Sequence, residues 1–94
     1  MSLRFEWDEN KAKLNLNNHK IDFQEATTVF ADTLSLTIPD PLHSVEEERF
    51  ITIGLSYRQN MLVIVHCERK DKIRIISARK ATKHERKTYE ETRR

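Results

Sequence analysis

The stretch that decides the fold is HCERKDKIRIISARKATKHERKTY, residues 66–89. It begins as an apolar strand, takes on arginines at regular spacing, and passes into a helical segment dense in Lys, Arg and Glu. It therefore supplies both core-forming side chains and most of the basic charge. The residues before it are predicted to form the scaffold that holds this stretch in place.

The composition indicates one small, soluble globular domain that covers residues 1–94. Hydrophobic residues make up 37% of the chain and charged residues 34%, with one Gly and two Pro. The single cysteine, Cys67, cannot form an intramolecular disulfide, which favours a reducing compartment, the cytoplasm. The N-terminus lacks a signal pattern, and the longest apolar run, residues 61–65, is far too short to span a membrane.

The charge is distributed unevenly along the chain. Residues 1–65 carry a net charge of −4, whereas residues 66–94 carry +6. This asymmetry predicts a surface that faces a polyanion or an acidic partner. A solvated helix with internal ion pairs is the alternative explanation of the basic end.

The elements before the hairpin follow from periodicity and capping residues. Alternating apolar residues predict a strand at residues 3–7, and Asp8 is placed to cap a first helix. Asp22, with Glu25 three positions later, predicts the start of a second helix through a capping box. A second alternating run, residues 34–38, predicts a strand that stops at a proline.

Two strands at residues 50–57 and 61–68 form a predicted hairpin with a three-residue loop, residues 58–60. Pairing the residues on either side of that loop makes Thr52 face His66. The face that carries these two polar residues is predicted to be open, and the opposite face is predicted to be the core.

The last strand and helix complete an α+β architecture with a central antiparallel sheet. A strand at residues 73–79 keeps Ile73 and Ile75 in the core and sends Arg74 outward, beside His66 on the open face. Burying Arg74 without an anion would be costly. A Thr-x-x-Glu capping box at Thr82 predicts the start of the final helix.

Several kinds of chemistry are disfavoured by the sequence. The only glycine lies inside a strand, so no phosphate-binding loop is present. The histidines are not at metal-ligand spacings, and neither Ser44 nor Ser77 has the context of an activated nucleophile. No metal and no cofactor are predicted.

The remaining polar residues suit metal-free cleavage of RNA. A base activates the 2′-OH, arginines stabilise charge on the phosphate, and an acid protonates the leaving 5′ oxygen. The predicted catalytic residues are Arg49, His66, Arg74, Arg79, Glu85 and Tyr89, with Glu68 as a further candidate on the open face. The predicted RNA-binding residues are Arg69, Lys80, Lys83 and Lys87.

Each catalytic candidate also has a structural interpretation. His66 can be a half-buried residue bonded to Thr52, and Arg79 with Glu85 can be an ion pair at a helix start. Tyr89 fits a core position as well as a catalytic one. For the whole chain, the alternative is a non-catalytic module whose basic C-terminal helix binds nucleic acid or an acidic protein.

The order and spacing of several motifs carry a resemblance that extends over residues 5–91. These motifs are Phe5-Glu6-Trp7-Asp8-Glu9-Asn10-Lys11-Ala12, Asn15 with Asn18-His19, Phe23-Gln24-Glu25-Ala26 with Val29-Phe30-Ala31-Asp32, His43-Ser44 with Glu47-Glu48-Arg49, Ile53-Gly54 with Ser56, and residues 73–81 with Glu85-Arg86 and Tyr89. Together they make the chain similar to the BrnT family of toxins from prokaryotic type II toxin-antitoxin systems. One departure is Asn18-His19-Lys20, where the family commonly has Lys-His-Gly.

The resemblance implies a RelE-like ribonuclease fold with two N-terminal helices packed on one face of the sheet. It implies translation inhibition by cleavage of RNA, either free or on the ribosome. It also implies a hetero-oligomer with a BrnA-type antitoxin that neutralises the toxin and binds operator DNA.

Overall fold

The computed structural model describes residues 3–43 and 47–92, so Ser44 lies outside the described residues. The elements are β1 (Arg4–Glu6), α1 (Glu9–His19), α2 (Phe23–Thr28) with a 3₁₀ turn (Val29–Ala31), β2 (Leu36–Pro39) with a 3₁₀ turn (Pro41–His43), β3 (Arg49–Leu55), β4 (Met61–Arg69), β5 (Lys72–Lys80) and α3 (Lys83–Thr92). This order of strands and helices confirms the predicted α+β order.

The five strands form one sheet in the order β1-β5-β4-β3-β2. Its centre is the predicted antiparallel meander of β3, β4 and β5. The sheet as a whole is mixed, because β1 pairs with β5 in parallel, which the sequence did not predict. The pairing of β1, which brings Glu6 beside Arg74, joins residues far apart in the chain, and no local pattern specifies it.

The predicted hairpin register is also wrong, by two residues. Leu55 rather than Tyr57 pairs with Met61, so Thr52 lies opposite Ile64. The loop therefore spans residues 56–60, and the buried Glu25 carboxylate of α2 accepts hydrogen bonds from Ser56 (2.6 Å) and Asn60 (2.8 Å). Because α2 supplies this partner, the wider loop depends on a tertiary contact.

Two clusters of apolar residues lie on opposite faces of the sheet. The first packs between the sheet and α1, α2 and the following 3₁₀ turn, and the second lies under α3. The first contains Ile21, Phe23, Ala26, Val29, Leu62, Ile64, Ile75 and Ala78. The second contains Ile53, Met61, Val63 and Tyr89. Ile75 is in the core as predicted.

The face predicted to be open is the one that the N-terminal helices cover. Thr52 and His66 share this face with Leu62 and Ile64, because side chains alternate along β4 and paired residues point the same way. A register shift of two residues leaves the faces unchanged, so the error lies in the choice of core face. Both faces of this hairpin carry apolar residues, and periodicity alone did not distinguish them.

The side chain of Asn15 links α1 to β5 through hydrogen bonds. Asn15 is buried, and its carboxamide accepts a hydrogen bond from the Ala78 N–H (3.0 Å) and donates to the carbonyls of Ala78 (2.8 Å) and Ile21 (2.9 Å). β1 pairs with β5 only over residues 72–74, so Asn15 satisfies backbone groups of β5 beyond the end of β1.

The turn after α1 is made without glycine, as expected from Asn18-His19-Lys20. Lys20 adopts the left-handed conformation, with φ of 62°, and its N–H donates to the carbonyl of Leu16 (2.9 Å). A non-glycine residue in this conformation carries a steric cost, which the closing hydrogen bond offsets.

Gly54 allows the 3₁₀ turn after α2 to approach β3 closely. A Cβ atom at this position would lie 2.9 Å from a methyl group of Val29 and 3.1 Å from the Asp32 carboxylate. Asp32 uses the same carboxylate to accept the backbone N–H of Leu55 (2.9 Å). The strand glycine is therefore needed for packing between elements.

Candidate functional site

The face of the sheet opposite α1 and α2 is covered by α3 over only part of its area. Its uncovered part, called the open face below, combines charged residues with an apolar band. The charged residues are Arg4, Glu6, Arg49, Arg69, Lys72 and Arg74, and the apolar band is Ile38, Ile51 and Val65. They share a face because each is paired, strand to strand, with another member or follows it by two residues.

One row of the open face crosses four strands. It contains Glu6, Arg74, Cys67 and Arg49 in that order. Two strand spacings separate the backbones of Arg74 and Arg49, which is about 10 Å. An Arg74 Nη donates to the Glu6 carboxylate at 3.0 Å, so β1 positions this guanidinium. Arg74 points away from Ile75 and the first core, as predicted.

A second arginine of the open face is held by the loop before β3. Arg69 donates from Nε (3.3 Å) and Nη2 (3.4 Å) to the Glu47 carboxylate. Hydrogen bonding to Arg69 lowers the pKa of Glu47. Burial, followed by the nearby Glu47 carboxylate, raises the pKa of the Cys67 thiol, so this thiol remains protonated and is a poor nucleophile.

The corner between β5 and α3 holds a bidentate ion pair. Both Nη atoms of Arg79 donate to Glu85, at 2.8 Å each. Glu85 also accepts the N–H of Thr82 (2.8 Å), and the Thr82 hydroxyl accepts the N–H of Glu85 (3.2 Å), which confirms the predicted capping box. Arg79 first, and then Thr82, lower the pKa of Glu85 to about 2. Glu85 is therefore ionised at neutral pH and is poorly suited to donate a proton.

His66 does not lie on an open face, which corrects the predicted placement. It is 5% exposed, with its ring edge-on to Phe30 (4.9 Å between centroids) and stacked on Phe50 (5.9 Å). Its Nε2 shares a 2.7 Å hydrogen bond with the Thr52 hydroxyl, while Nδ1 has no partner among the described residues. Burial lowers the pKa of His66 to about 4. The sheet separates this residue from the open-face arginines.

Tyr89 is the buried residue of α3, and its side chain lies in the second apolar cluster. It is 1% exposed, and its hydroxyl donates to the Asp32 carboxylate at 2.7 Å. This bond ties α3 to the segment that follows α2. Tyr89 therefore occupies a core position, as its structural interpretation predicted. A catalytic role for this residue stays a prediction.

The predicted site residues thus fall in separate places. Arg49, Arg69 and Arg74 share the open face, Arg79 and Glu85 occupy the adjoining corner, and the buried His66 and Tyr89 lie in different clusters. Lys80, Lys83 and Lys87 are exposed at and beyond the end of β5, on the far side of that corner, and Glu68 is exposed on a strand position that alternates away from Cys67.

Two carboxylates that contact the open-face arginines were missed by sequence reasoning. Glu6 and Glu47 each lie within hydrogen-bond distance of an arginine. Glu6 had a detectable signal, since it alternates with Phe5 and Trp7 and so had to face away from the first core. Its partner was hidden because the pairing of β1 is non-local.

A protein-family model that describes "Ribonuclease toxin, BrnT, of type II toxin-antitoxin system" matches residues 7–85. This match covers most of the chain. The chain belongs to the BrnT family. It is thus a member of a family of ribonuclease toxins that act within toxin-antitoxin pairs, and an antitoxin partner follows from that membership.

The fold is similar to the crystal structure of the Brucella abortus ribonuclease toxin BrnT. The TM-score is 0.68, with 19% sequence identity, and the match covers 87% of this chain and 100% of that chain. At this identity the likeness concerns the fold. No curated protein matches the sequence significantly.

Within residues 3–43 and 47–92, no helix is long and apolar enough to cross a membrane. The same ranges hold no group of three or more His, Cys, Asp or Glu side chains arranged to bind a metal ion.

Proposed function

We propose that this BrnT-family protein is a metal-independent endoribonuclease that inhibits translation and that cleaves RNA on the open face. The observation that carries the proposal is the row in which Arg74 and Arg49 flank Cys67 across β5, β4 and β3. Arginine guanidinium groups recognise phosphate in a bidentate manner and remain charged at every physiological pH.

In the proposed reaction, an RNA phosphate lies between Arg49 and Arg74, above the row that joins them. The 2′-OH next to that phosphate attacks the phosphorus, and the bond to the 5′ oxygen breaks. One fragment then carries a 2′,3′-cyclic phosphate, and the other carries a 5′-OH after its 5′ oxygen takes a proton from water. The guanidinium groups stabilise the charge that develops on the phosphate oxygens. Glu6 and Glu47 lie beside these arginines, and their carboxylates are proposed to accept the 2′-OH proton.

Arg79 is proposed to act from the adjoining corner. The bidentate bond to Glu85 fixes its guanidinium, and its side chain is 40% exposed, so it can contact a bound phosphate. Glu85 then acts as a positioning residue for Arg79. Lys80, Lys83 and Lys87 are proposed to attract the RNA without taking part in the chemistry.

A BrnA-type antitoxin is the proposed partner, and the open face is its proposed binding surface. The face offers cationic residues around an apolar band in which Ile38 is 46% exposed. An acidic segment with apolar side chains would complement both features and would exclude RNA. The proposed resting form is therefore a hetero-oligomer in which the arginines are covered.

The proposal is tested with the Arg74→Ala, Arg79→Ala double variant. Induction of the wild-type chain without its antitoxin is expected to stop growth and to yield RNA fragments with 2′,3′-cyclic phosphate ends. The double variant is expected to lose at least about 100-fold in cleavage rate, since removal of one charge-stabilising donor already costs this much. Cleavage by the purified protein should persist in EDTA.

The matched control is Lys11→Ala, Lys13→Ala, which removes two positive charges from exposed positions of α1. It should cleave like the wild type, and thermal unfolding should show that both double variants are folded. Full cleavage by the Arg74, Arg79 variant would refute the assigned site. Absence of cleavage by the wild type, with intact binding of RNA, would favour the non-catalytic binding module.

A further inference from the structure

The β3–β4 hairpin ends in an exposed aromatic residue next to an arginine. Tyr57 is 62% exposed, whereas the other aromatic rings among the described residues are buried or half-buried. The Arg58 Nε donates to the Tyr57 hydroxyl at 2.7 Å, and the guanidinium carbon lies 5.3 Å from the ring centroid. The guanidinium therefore lies over one face of the ring, and the two side chains form one cationic and aromatic unit whose other ring face is available for stacking.

The loop that presents this pair is fixed by hydrogen bonds. The backbone N–H of Tyr57 donates to the Thr28 hydroxyl at 3.0 Å, and the N–H groups of Arg58 and Asn60 donate to the Ser56 hydroxyl oxygen at 3.3 Å each. The same Ser56 hydroxyl donates to Glu25, which is 3% exposed. The backbone that presents the ring is thus fixed before any ligand binds, which lowers the entropy cost of binding.

Arg58 differs from four arginines of the open face and the corner in that it has no ion-pair partner among the described residues. Arg4, Arg69, Arg74 and Arg79 each form an ion pair, but Arg58 forms none within the described ranges. Its remaining N–H groups can donate to a phosphate or to the edge of a base without first breaking an ion pair.

The surroundings of the loop are basic. The N–H of Ala81 donates to the carbonyl of Met61 at 2.9 Å, so the start of the segment that leads into α3 lies beside the loop. Lys80, which pairs with Leu62 of β4, and Lys83 in the first turn of α3 are exposed at the same end of the sheet. These side chains supply phosphate attraction at the end of the sheet that carries the loop.

We propose that Tyr57 and Arg58 form an accessory binding site for a base of single-stranded RNA, outside the segment that is cleaved. The base stacks on the Tyr57 ring, and Arg58 contacts the adjacent phosphate. Aromatic side chains bind unpaired bases in this way with little sequence preference, because every base has a π-face. This inference deepens the proposed function by naming a second contact for the same RNA.

The test measures binding of a fluorescein-labelled, uncleavable 2′-O-methyl oligonucleotide of ten adenosines to the purified chain by fluorescence anisotropy. Loss of one stacked base is expected to raise the Kd of Tyr57→Ala about 5- to 100-fold over the wild type. Tyr57→Trp and Tyr57→Phe should bind within a few-fold of the wild type, because both keep a ring. Leu14→Ala removes a similarly exposed apolar side chain from α1 and should not change the Kd.

Three results would overturn the inference. They are an unchanged Kd for Tyr57→Ala, a Tyr57→Phe variant that binds as weakly as Tyr57→Ala, and an antitoxin affinity that falls in Tyr57→Ala while the oligonucleotide Kd does not. The cleavage assay separates this inference from the proposed function. If the wild-type chain cleaves RNA but binding does not depend on Tyr57, the accessory site is refuted and the proposed function stands. If binding depends on Tyr57 but no RNA is cleaved, the proposed function is refuted and the accessory site stands.

Discussion

At the scale of single residues, the environment of His66 decides what its imidazole can do. Two phenylalanine rings enclose it, one hydroxyl binds Nε2, and Nδ1 has no partner among the described residues. A charged imidazolium in this place would lose its hydration without gaining an anion, which is why burial lowers the pKa to about 4. The neutral ring instead connects β4 through Thr52 to Thr37 of β2.

His66 is expected to make the fold sensitive to acid. Its pKa is about 4 in the folded chain and about 6.5 when unfolded, so between these values the unfolded chain binds more protons. The free energy of unfolding should therefore fall as the pH drops from about 6.5 towards 4, by up to about 3 kcal/mol in all. Urea unfolding at pH 7, 6, 5 and 4.5 would measure this loss.

The His66→Leu variant should lose most of that pH dependence, whereas His84→Ala, which removes an exposed imidazole of α3, should retain it. Glu85, whose pKa is lowered to about 2, contributes stability that is lost mainly below about 4.5, the lowest pH of this measurement. Equal pH dependence in the wild type and His66→Leu would contradict the assignment to His66.

At the scale of elements, α1 is a helix with few inward contacts. Ala12 is half-buried and Asn15 is buried, while the other residues of the helix are exposed. Its attachment to β5 therefore depends on the Asn15 carboxamide and on packing of the residues that flank the helix. The Asp8 cap, which accepts the N–H groups of Asn10 (2.8 Å) and Lys11 (3.2 Å), fixes where the helix begins.

Replacing Asn15 with Leu should destabilise the protein by about 2 to 4 kcal/mol, because a buried N–H and two buried carbonyls lose their partners. Chemical denaturation would give the change in the free energy of unfolding. Asn18→Leu is the matched control at an exposed position of the same helix and should stay within about 0.5 kcal/mol of the wild type. Similar losses in both variants would show that the Asn15 hydrogen bonds are not responsible.

At the scale of the whole molecule, the sheet separates the larger core from the proposed RNA-binding surface. One face is covered by the N-terminal helices and forms the larger core, and the other is shared between α3 and the open face. The basic charge counted along the sequence is thereby divided between the open face and the region around α3. On the open face, the ion pairs with Glu47 and Glu6 hold Arg69 and Arg74 in defined positions.

Binding of an uncleavable single-stranded oligonucleotide is expected to weaken as salt increases. Each neutralised phosphate adds about −0.7 to the slope of log K against log salt for single strands, so Arg74→Ala should flatten the slope by about this amount. Lys11→Ala removes the same charge from α1 and should leave the slope unchanged. A flatter slope for Lys11→Ala, with no change for Arg74→Ala, would place the RNA on the opposite face.

Local signals predicted the elements well. The alternation at residues 3–7, the caps at Asp8, Asp22 and Thr82, and the apolar runs of the meander all correspond to observed elements. The outward direction of Arg74 was also predicted, because Ile73 and Ile75 on either side of it required a core. Capping and alternation depend on residues within about four positions, so one sequence is sufficient to read them.

The sequence by itself therefore determined the order of the strands and helices, the helix starts, and the concentration of basic residues in the last third of the chain. Only the tertiary structure decided that β1 joins β5, that Glu25 widens the hairpin loop, and that His66 is buried while Glu6 and Glu47 meet the arginines. The physical reason is that each of these features depends on groups far apart in the chain, and the lowest free energy is set by burial and hydrogen bonding of the whole fold.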